Sequence, residues 1–324
     1  MKTQPLYLKD SYLKEMKAKV LDVKPDGNGW KVIIDKTVFY PMGGGQPTDQ
    51  GTLTSDLWKS EVYQVLMKDG EIWHHLKSSD QPTIGMSLHG VINWDRRYKN
   101  MRVHSAGHVV DFAMYLLGYS PKTLMPFKGD HGKKSYIVYL GSLNEDVKQR
   151  LEDKTNELVK KDLKFTTLFQ PFEVLQKEAI YLQPGLPINK PLRTLRLETV
   201  GAVADGGTQV KSTKEVGEII ISSIEDKEGN TVVNYSLASY VVVYFCRPSW
   251  KKFELILKKS DRCGEWSASW RIATPNFLPL ALSLIKIFSG SSQKLFSHMI
   301  LAIFTNNSKP NCVIEAYNIK LPLC

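Results

Sequence analysis

His104 and His108 stand four residues apart in a stretch where Val103, Val110, Met114 and Leu117 recur at helical spacing. On a helix, side chains at i and i+4 share a face, with Cβ atoms about 5–6 Å apart, so both imidazoles can reach one metal ion. The same spacing also suits a packed or solvated face. Ser105, not Glu, follows His104, which argues against the His-Glu-x-x-His chemistry of a metalloprotease. Immediately upstream lie Arg96, Arg97, Lys99 and Arg102, with Trp94 and Tyr98 among them. Such a cluster is either a solvated face or a phosphate contact beside a site. Of the remaining histidines, His131, in a Gly-Asp-His-Gly loop, is the one retained as a site-lining residue.

The elements that must position these groups are of two kinds. Residues 1–95 read as mainly β, with short β-branched and apolar segments at Lys17–Val23, Gly29–Asp35, Glu61–Met67, Glu71–Leu76 and Ser87–Asn93. Turn signals such as Pro25-Asp26-Gly27-Asn28-Gly29 separate them, a pattern that suits a small barrel. Gly43, Gly44 and Gly45 follow one another between two of these segments. Three glycines in succession make a tight loop or a close backbone approach. No Gly-Lys-Ser/Thr follows them, so this is not a phosphate-cradling P-loop. After the histidine helix, which Gly118 should stop, the pattern becomes α+β. Strands are expected at Tyr136–Leu140, Phe165–Phe169 and Leu192–Glu198, and helices at Leu143–Leu163 and Pro171–Ala179. A hairpin at Glu218–Glu225 and Thr231–Ser236 should turn at Lys227-Glu228-Gly229-Asn230.

A chain of 324 residues is long enough for two domains and an appendage. The net charge of +10 is uneven: residues 241–324 hold 11 Lys/Arg against 4 Asp/Glu, a net of +7. Whole-chain basicity therefore says little about the first 240 residues. All four cysteines, Cys246, Cys263, Cys312 and Cys324, lie in that tail, without metal-ligand or redox spacing. Met1–Tyr12 has no apolar run of the secretory kind, and the uncharged stretch Ile272–Ile285, at 14 residues, is too short to span a bilayer. A cytoplasmic location with no membrane partner is expected.

Four stretches in order resemble the AlaX family, free-standing relatives of the editing domain of alanyl-tRNA synthetase. They are Thr37-Val38-Phe39-Tyr40-Pro41-Met42-Gly43-Gly44-Gly45-Gln46-Pro47, Trp94-Asp95-Arg96-Arg97-Tyr98 with Met101-Arg102, His104-Ser105-Ala106-Gly107-His108, and Asp205-Gly206-Gly207-Thr208-Gln209-Val210. The resemblance covers residues 1 to about 237. It implies an α+β chain: a glycine-rich-motif barrel domain at 1–95, an α+β aminoacyl-tRNA editing domain at 96–239, and a tail at 240–324 that is poorly ordered or an aberrant extension.

The resemblance also implies hydrolysis of the ester joining serine or glycine to alanine-specific tRNA, with tRNA as partner, no DNA, and one Zn²⁺ as cofactor. The family's last motif pairs Cys with His four residues on, where this chain has Asp205 and Gln209. His104, His108 and Asp205 are then the expected metal ligands, because zinc also accepts a carboxylate oxygen. Losing soft sulfur weakens zinc binding and relaxes metal selectivity. Asp205 alternatively activates water or merely caps a loop, and Gln209 leaves an open ligand position or orients substrate. Gly206 and Gly207 would bring backbone N–H groups to the substrate carbonyl. By resemblance, Thr37 helps recognise the serine hydroxyl. Gly43, Gly44, Gly45 and Gln46 serve RNA contact, substrate closure or domain packing, and Arg96, Arg97 and Arg102 serve the phosphates. The alternative is a catalytically silent tRNA-binding module with a degenerate metal site. A complete synthetase is not expected, because no adenylate-forming domain is legible.

Overall fold

A computed structural model of the chain describes residues 2–143, 145–245, 253–259 and 266–271. The chain divides into two compact units, Met1–Leu237 and Ala238–Cys324. In the second, Ser239–Phe245, Phe253–Lys259 and Trp266–Arg271 form a three-stranded antiparallel sheet. Most of the tail at 240–324 lies outside the described residues.

The first unit begins with a closed six-stranded antiparallel barrel. Around it run Glu15–Asp26, Gly29–Ile34, Glu71–Leu76, Lys59–Lys68, Gly51–Thr54 and Ser87–Ile92, which returns to the first strand. Period-2 alternation builds the interior: Met16, Ala18 and Val20 point in, while Lys17 and Lys19 point out. Val38, Phe39 and Leu53 are fully buried among them. Gly51–Thr54 carries no strand signal in the sequence, since Leu53 is its only large apolar residue. Its partners on both sides make it a strand. A Cβ at Gly51 would lie 2.1 Å from the Val91 carbonyl oxygen, so only glycine permits that approach.

Helix α1, Trp94–Leu116, leaves the barrel behind an Asn93 cap that accepts the Arg96 N–H at 3.0 Å. Gly118, at φ 83°, stands just past its end, as its position suggests. The helix packs on a four-stranded antiparallel sheet ordered Ile219–Lys227, Asn230–Leu237, Ser135–Leu140, Met125–Asp130. Met101, Ala106, Val109, Val110, Ala113 and Met114 bury its apolar side. Helix α2, Lys148–Lys160, lies beside α1 and is shorter than the expected Leu143–Leu163. The Asp146 carboxylate takes the Lys148 N–H at 3.0 Å, and Asp162 turns to φ 53°, so both ends are fixed locally. A second sheet, Phe165–Gln170, Leu192–Leu197 and Gly201–Ala204, is antiparallel and runs into the loop at 205–212. Two of these strands were not legible in the sequence. Met125–Asp130 contains Pro126 and Gly129, and Gly201–Ala204 is four small or β-branched residues. Among the described residues, no helix is long and apolar enough to cross a membrane.

Arg97 joins barrel to helix. Both it and Asp49 are wholly buried and form an ion pair. The guanidinium also donates to the carbonyls of Ser11 (2.9 Å) and Val38. The expectation that Arg97 meets RNA phosphate is corrected here: a guanidinium without exposed surface, saturated by protein acceptors, cannot reach a phosphate.

Candidate functional site

The middle of α1 presents His104 and His108 on one face, their rings stacked with centroids 5.0 Å apart. Asp205 enters from the end of Gly201–Ala204, where its N–H donates to the Arg193 carbonyl at 3.0 Å. Its Oδ1 lies 3.5 Å from His104 Nε2 and 3.4 Å from His108 Nε2, and all three side chains are nearly buried. One donor atom from each falls within 4.8 Å of the others. Ligands held at about 2.0–2.2 Å around a tetrahedral ion stand roughly 3.3–3.6 Å from one another, so these spacings fit a cation of that size. A further observation favours the fit. Neither nitrogen of His108 has a hydrogen-bond partner, although both are buried, and orphaned polar atoms in an interior need an explanation.

Two of the three groups, His104 and Asp205, are held by hydrogen-bonded neighbours. Gln46 accepts the His104 Nδ1–H at 2.8 Å and the Thr208 N–H at 3.0 Å through the same Oε1, and donates to Thr208 Oγ1 at 2.7 Å. With Nδ1 carrying the proton, Nε2 keeps its lone pair toward Asp205, as a ligating histidine requires. Burial keeps His104 neutral, lowering its pKa to about 4 against the opposing pull of Asp205. Gly207 lies against that ring: a Cβ there would come 1.9 Å from His104 Cε1. Asp205 Oδ2 accepts from Arg193 and from Gln209 Nε2, each at 3.0 Å, while Oδ1 accepts the Gly207 N–H at 3.0 Å. Burial opposes ionisation of Asp205, yet His104, His108 and Arg193 hold its carboxyl well below the usual range. For His108 burial acts downward, and Asp205 outweighs it, leaving the imidazole raised.

The structure gathers some of the sequence-expected residues here and sends others elsewhere. Gln209 supports the cluster instead of joining it, its Oε1 accepting Ser105 Oγ at 2.6 Å and its Nε2 donating to Asp205 Oδ2 at 3.0 Å. Both of its polar atoms are engaged there, and among the described residues three protein groups, His104, His108 and Asp205, form the cluster. The N–H of Gly207 is spent on Asp205, that of Thr208 on Gln46, and that of Gln209 on Ser11 Oγ at 3.3 Å. Gly206 is the exposed glycine of the pair, and among the described residues nothing would crowd a Cβ there. Thr37 is not brought to the cluster. Its hydroxyl pairs with His74 Nε2 at 2.8 Å inside the barrel, with no exposed surface.

Gly43, Gly44 and Gly45 form the turn that delivers Gln46, with Gly44 and Gly45 at φ 55° and 76°. A Cβ at Gly45 would lie 2.3 Å from the Gly129 carbonyl oxygen, so the loop is pressed onto the strand Met125–Asp130. Arg96 Nε donates to the Thr48 carbonyl at 2.9 Å, and Arg102 donates twice to that of Val216, at 3.1 and 2.9 Å. Both are braces with some exposed surface. His131 does reach the site. Its ring stacks on His104 at 4.5 Å, and its Nδ1 shares a 2.5 Å hydrogen bond with the Tyr235 hydroxyl. Sequence reading missed Arg193, which also donates to the carbonyls of Leu8 (3.1 Å) and Gly207 (2.8 Å). Its one signal was an arginine two residues before Leu195, on the strand face that Leu195 and Leu197 share.

A family model described as tRNA synthetases class II (A) matches residues 9–96. An alanyl-tRNA editing protein AlaX-M from Saccharolobus solfataricus is 35% identical over 246 residues, covering 72% of this chain and 99% of that protein. The AlaX-L protein of Pyrococcus horikoshii is 31% identical over 69% of this chain and 55% of its own length. An alanine–tRNA ligase from Halobacterium salinarum is also 31% identical, over 69% of this chain, which spans only 24% of that enzyme.

Proposed function

Because this chain belongs to the AlaX family of alanyl-tRNA editing proteins, we propose that it is a trans-acting hydrolase. It removes serine or glycine from mischarged, alanine-specific tRNA in the cytoplasm. The observation that carries the reading is the convergence of His104, His108 and Asp205, with Gln46 setting the tautomer of the first. The three groups would hold one Zn²⁺, which when bound supplies Lewis-acid polarisation of the ester carbonyl and activation of water.

The chain's own residues do the rest. His104, buried and neutral, keeps its Nε2 lone pair directed at the centre. Arg193 and Gln209 donate to Asp205 Oδ2, which orients the carboxylate with Oδ1 toward the two histidines. Among the described residues only these three groups converge, and a site of three protein ligands would be of the catalytic rather than the structural kind. We assign the N–H of Gly206, the exposed glycine of the pair, to meet a developing oxyanion. The buried Thr37 is not assigned to serine recognition.

The test is deacylation of serine-charged, alanine-specific tRNA by the full chain, with alanine-charged tRNA as control. Selective loss of serine, abolished by EDTA and restored by Zn²⁺, is the expected result. Serine release at the buffer rate, with tRNA still bound, would overturn it in favour of a silent binding module.

A further inference from the structure

Tyr12, Trp94 and Tyr98 form a row of half-buried rings next to the site loop. Tyr12 and Trp94 are 5.6 Å apart at 50°, and Trp94 and Tyr98 5.6 Å apart at 26°. Both tyrosine hydroxyls donate to one oxygen of Glu215, at 2.6 and 3.0 Å, which fixes the rings from behind. Lys14 Nζ sits 4.6 Å from the Trp94 ring centre and Lys211 Nζ 4.4 Å from that of Tyr12. Both lysines are exposed, so the ring faces they cover are the outward ones. The exposed Lys99 follows Tyr98 in the chain. The row begins where the site loop ends. Gln209 N donates to Ser11 Oγ at 3.3 Å, and Lys211 N donates to the Tyr12 hydroxyl at 3.2 Å. Along the α1 axis, Tyr98 and Trp94 stand about 9 and 15 Å from His104.

We propose that this row is a stacking platform for the single-stranded 3′ end of the RNA that carries the ester. Preorganised aromatic faces next to flexible cations are what unpaired nucleotides need: a base stacks on a ring while the displaced ammonium turns to a phosphate. Glu215 lies on the hydroxyl side of the rings, its carboxylate engaged by the two hydroxyls and the Lys211 N–H (3.2 Å). The assignment rests on the tRNA reading above and adds the residues that would hold the strand.

The experiment is fluorescence anisotropy on the full chain with a fluorescein-labelled single-stranded RNA copying the 3′ end of alanine tRNA. A blunt duplex RNA serves as control. Trp94→Ala should weaken single-strand binding roughly 5- to 150-fold, and Trp94→Phe should largely restore it. Trp94 also touches both hydrophobic cores, so the double variant Lys14→Ala/Lys211→Ala is the independent arm. It should lower the slope of log affinity against log salt by about 1.4. An unchanged slope in the double variant overturns the platform, as does single-strand affinity within twofold in a folded Trp94→Ala protein. Self-association lost in Trp94→Ala with RNA binding intact also overturns it, in favour of a protein-facing patch. Ring-dependent binding without deacylation would sink the hydrolase reading and leave the platform standing. Deacylation without ring dependence would do the reverse.

Discussion

Gln46→Met removes the acceptor shared by two buried donors, His104 Nδ1–H and Thr208 N–H, at a residue that is 1% exposed. The side chain is close in volume, so packing changes little and the loss is polar. A buried donor left unmet costs about 1–3 kcal/mol, giving roughly 2–6 kcal/mol for the pair before the loop at 205–209 relaxes. The second consequence is chemical. Without the acceptor, His104 is no longer held as the Nδ1–H tautomer, and its Nε2 lone pair is lost for part of the population. Removing such an outer partner typically lowers metal affinity 10- to 100-fold. Gln46→Glu keeps an acceptor in place, and the Thr208 hydroxyl can rotate to donate to it, so this variant should retain the tautomer. Urea denaturation of the metal-free protein reads the first effect. Long-range ¹⁵N–¹H correlation of the His104 ring reads the second, and chelator competition the third. A Gln46→Met protein that keeps the Nδ1–H tautomer, with stability within about 0.5 kcal/mol of the parent, would refute the reasoning.

Three further outcomes are expected. Gly207→Ala should cost about 1–3 kcal/mol and disorder the histidine cluster, because its Cβ would meet His104 at 1.9 Å, whereas Gly206→Ala meets nothing and should melt like the parent. Arg97→Met strands the Asp49 carboxylate in the interior and should cost about 3–5 kcal/mol in urea denaturation. The folded fraction's RNA affinity should not change, and a weakened salt dependence would instead restore Arg97 as a phosphate contact. His74 is fully buried, and burial lowers its pKa to about 4. Its unfolded form takes a proton near the ordinary 6.5 while its folded form resists until about 4, so falling pH favours the unfolded chain. Stability should drop by roughly 3 kcal/mol across that window and level off below it. A His74→Gln variant, measured by denaturation at several pH values, should lack that component; an unchanged profile would contradict the assignment.

Local pattern reached far into this protein. Short β-branched and apolar segments between turn signals marked five of the six barrel strands, and helical spacing put His104 and His108 on one face. The order of the glycine-rich, basic, histidine and Asp205 segments pointed to the family before any geometry was known. Short segments with few apolar residues, such as Gly51–Thr54, escaped because neighbours on both sides make them strands. The basic lead-in was misleading for Arg97, since charge in a sequence carries no record of burial.

What the sequence by itself determined was the set of residue types and the elements that carry them: two imidazoles one helical turn apart, a carboxylate at Asp205, and a glycine turn before Gln46. Only the tertiary structure decided how those groups are used. Gln46 reaches His104 across 58 residues, and Arg193 reaches Asp205 from a neighbouring strand, while Thr37 and Gln209 are drawn to other partners. Helical and strand periodicity is set within a few residues by the backbone, so it is legible along the chain. Hydrogen-bond partners in a buried site are set by which surfaces pack together, and that depends on all of the fold at once.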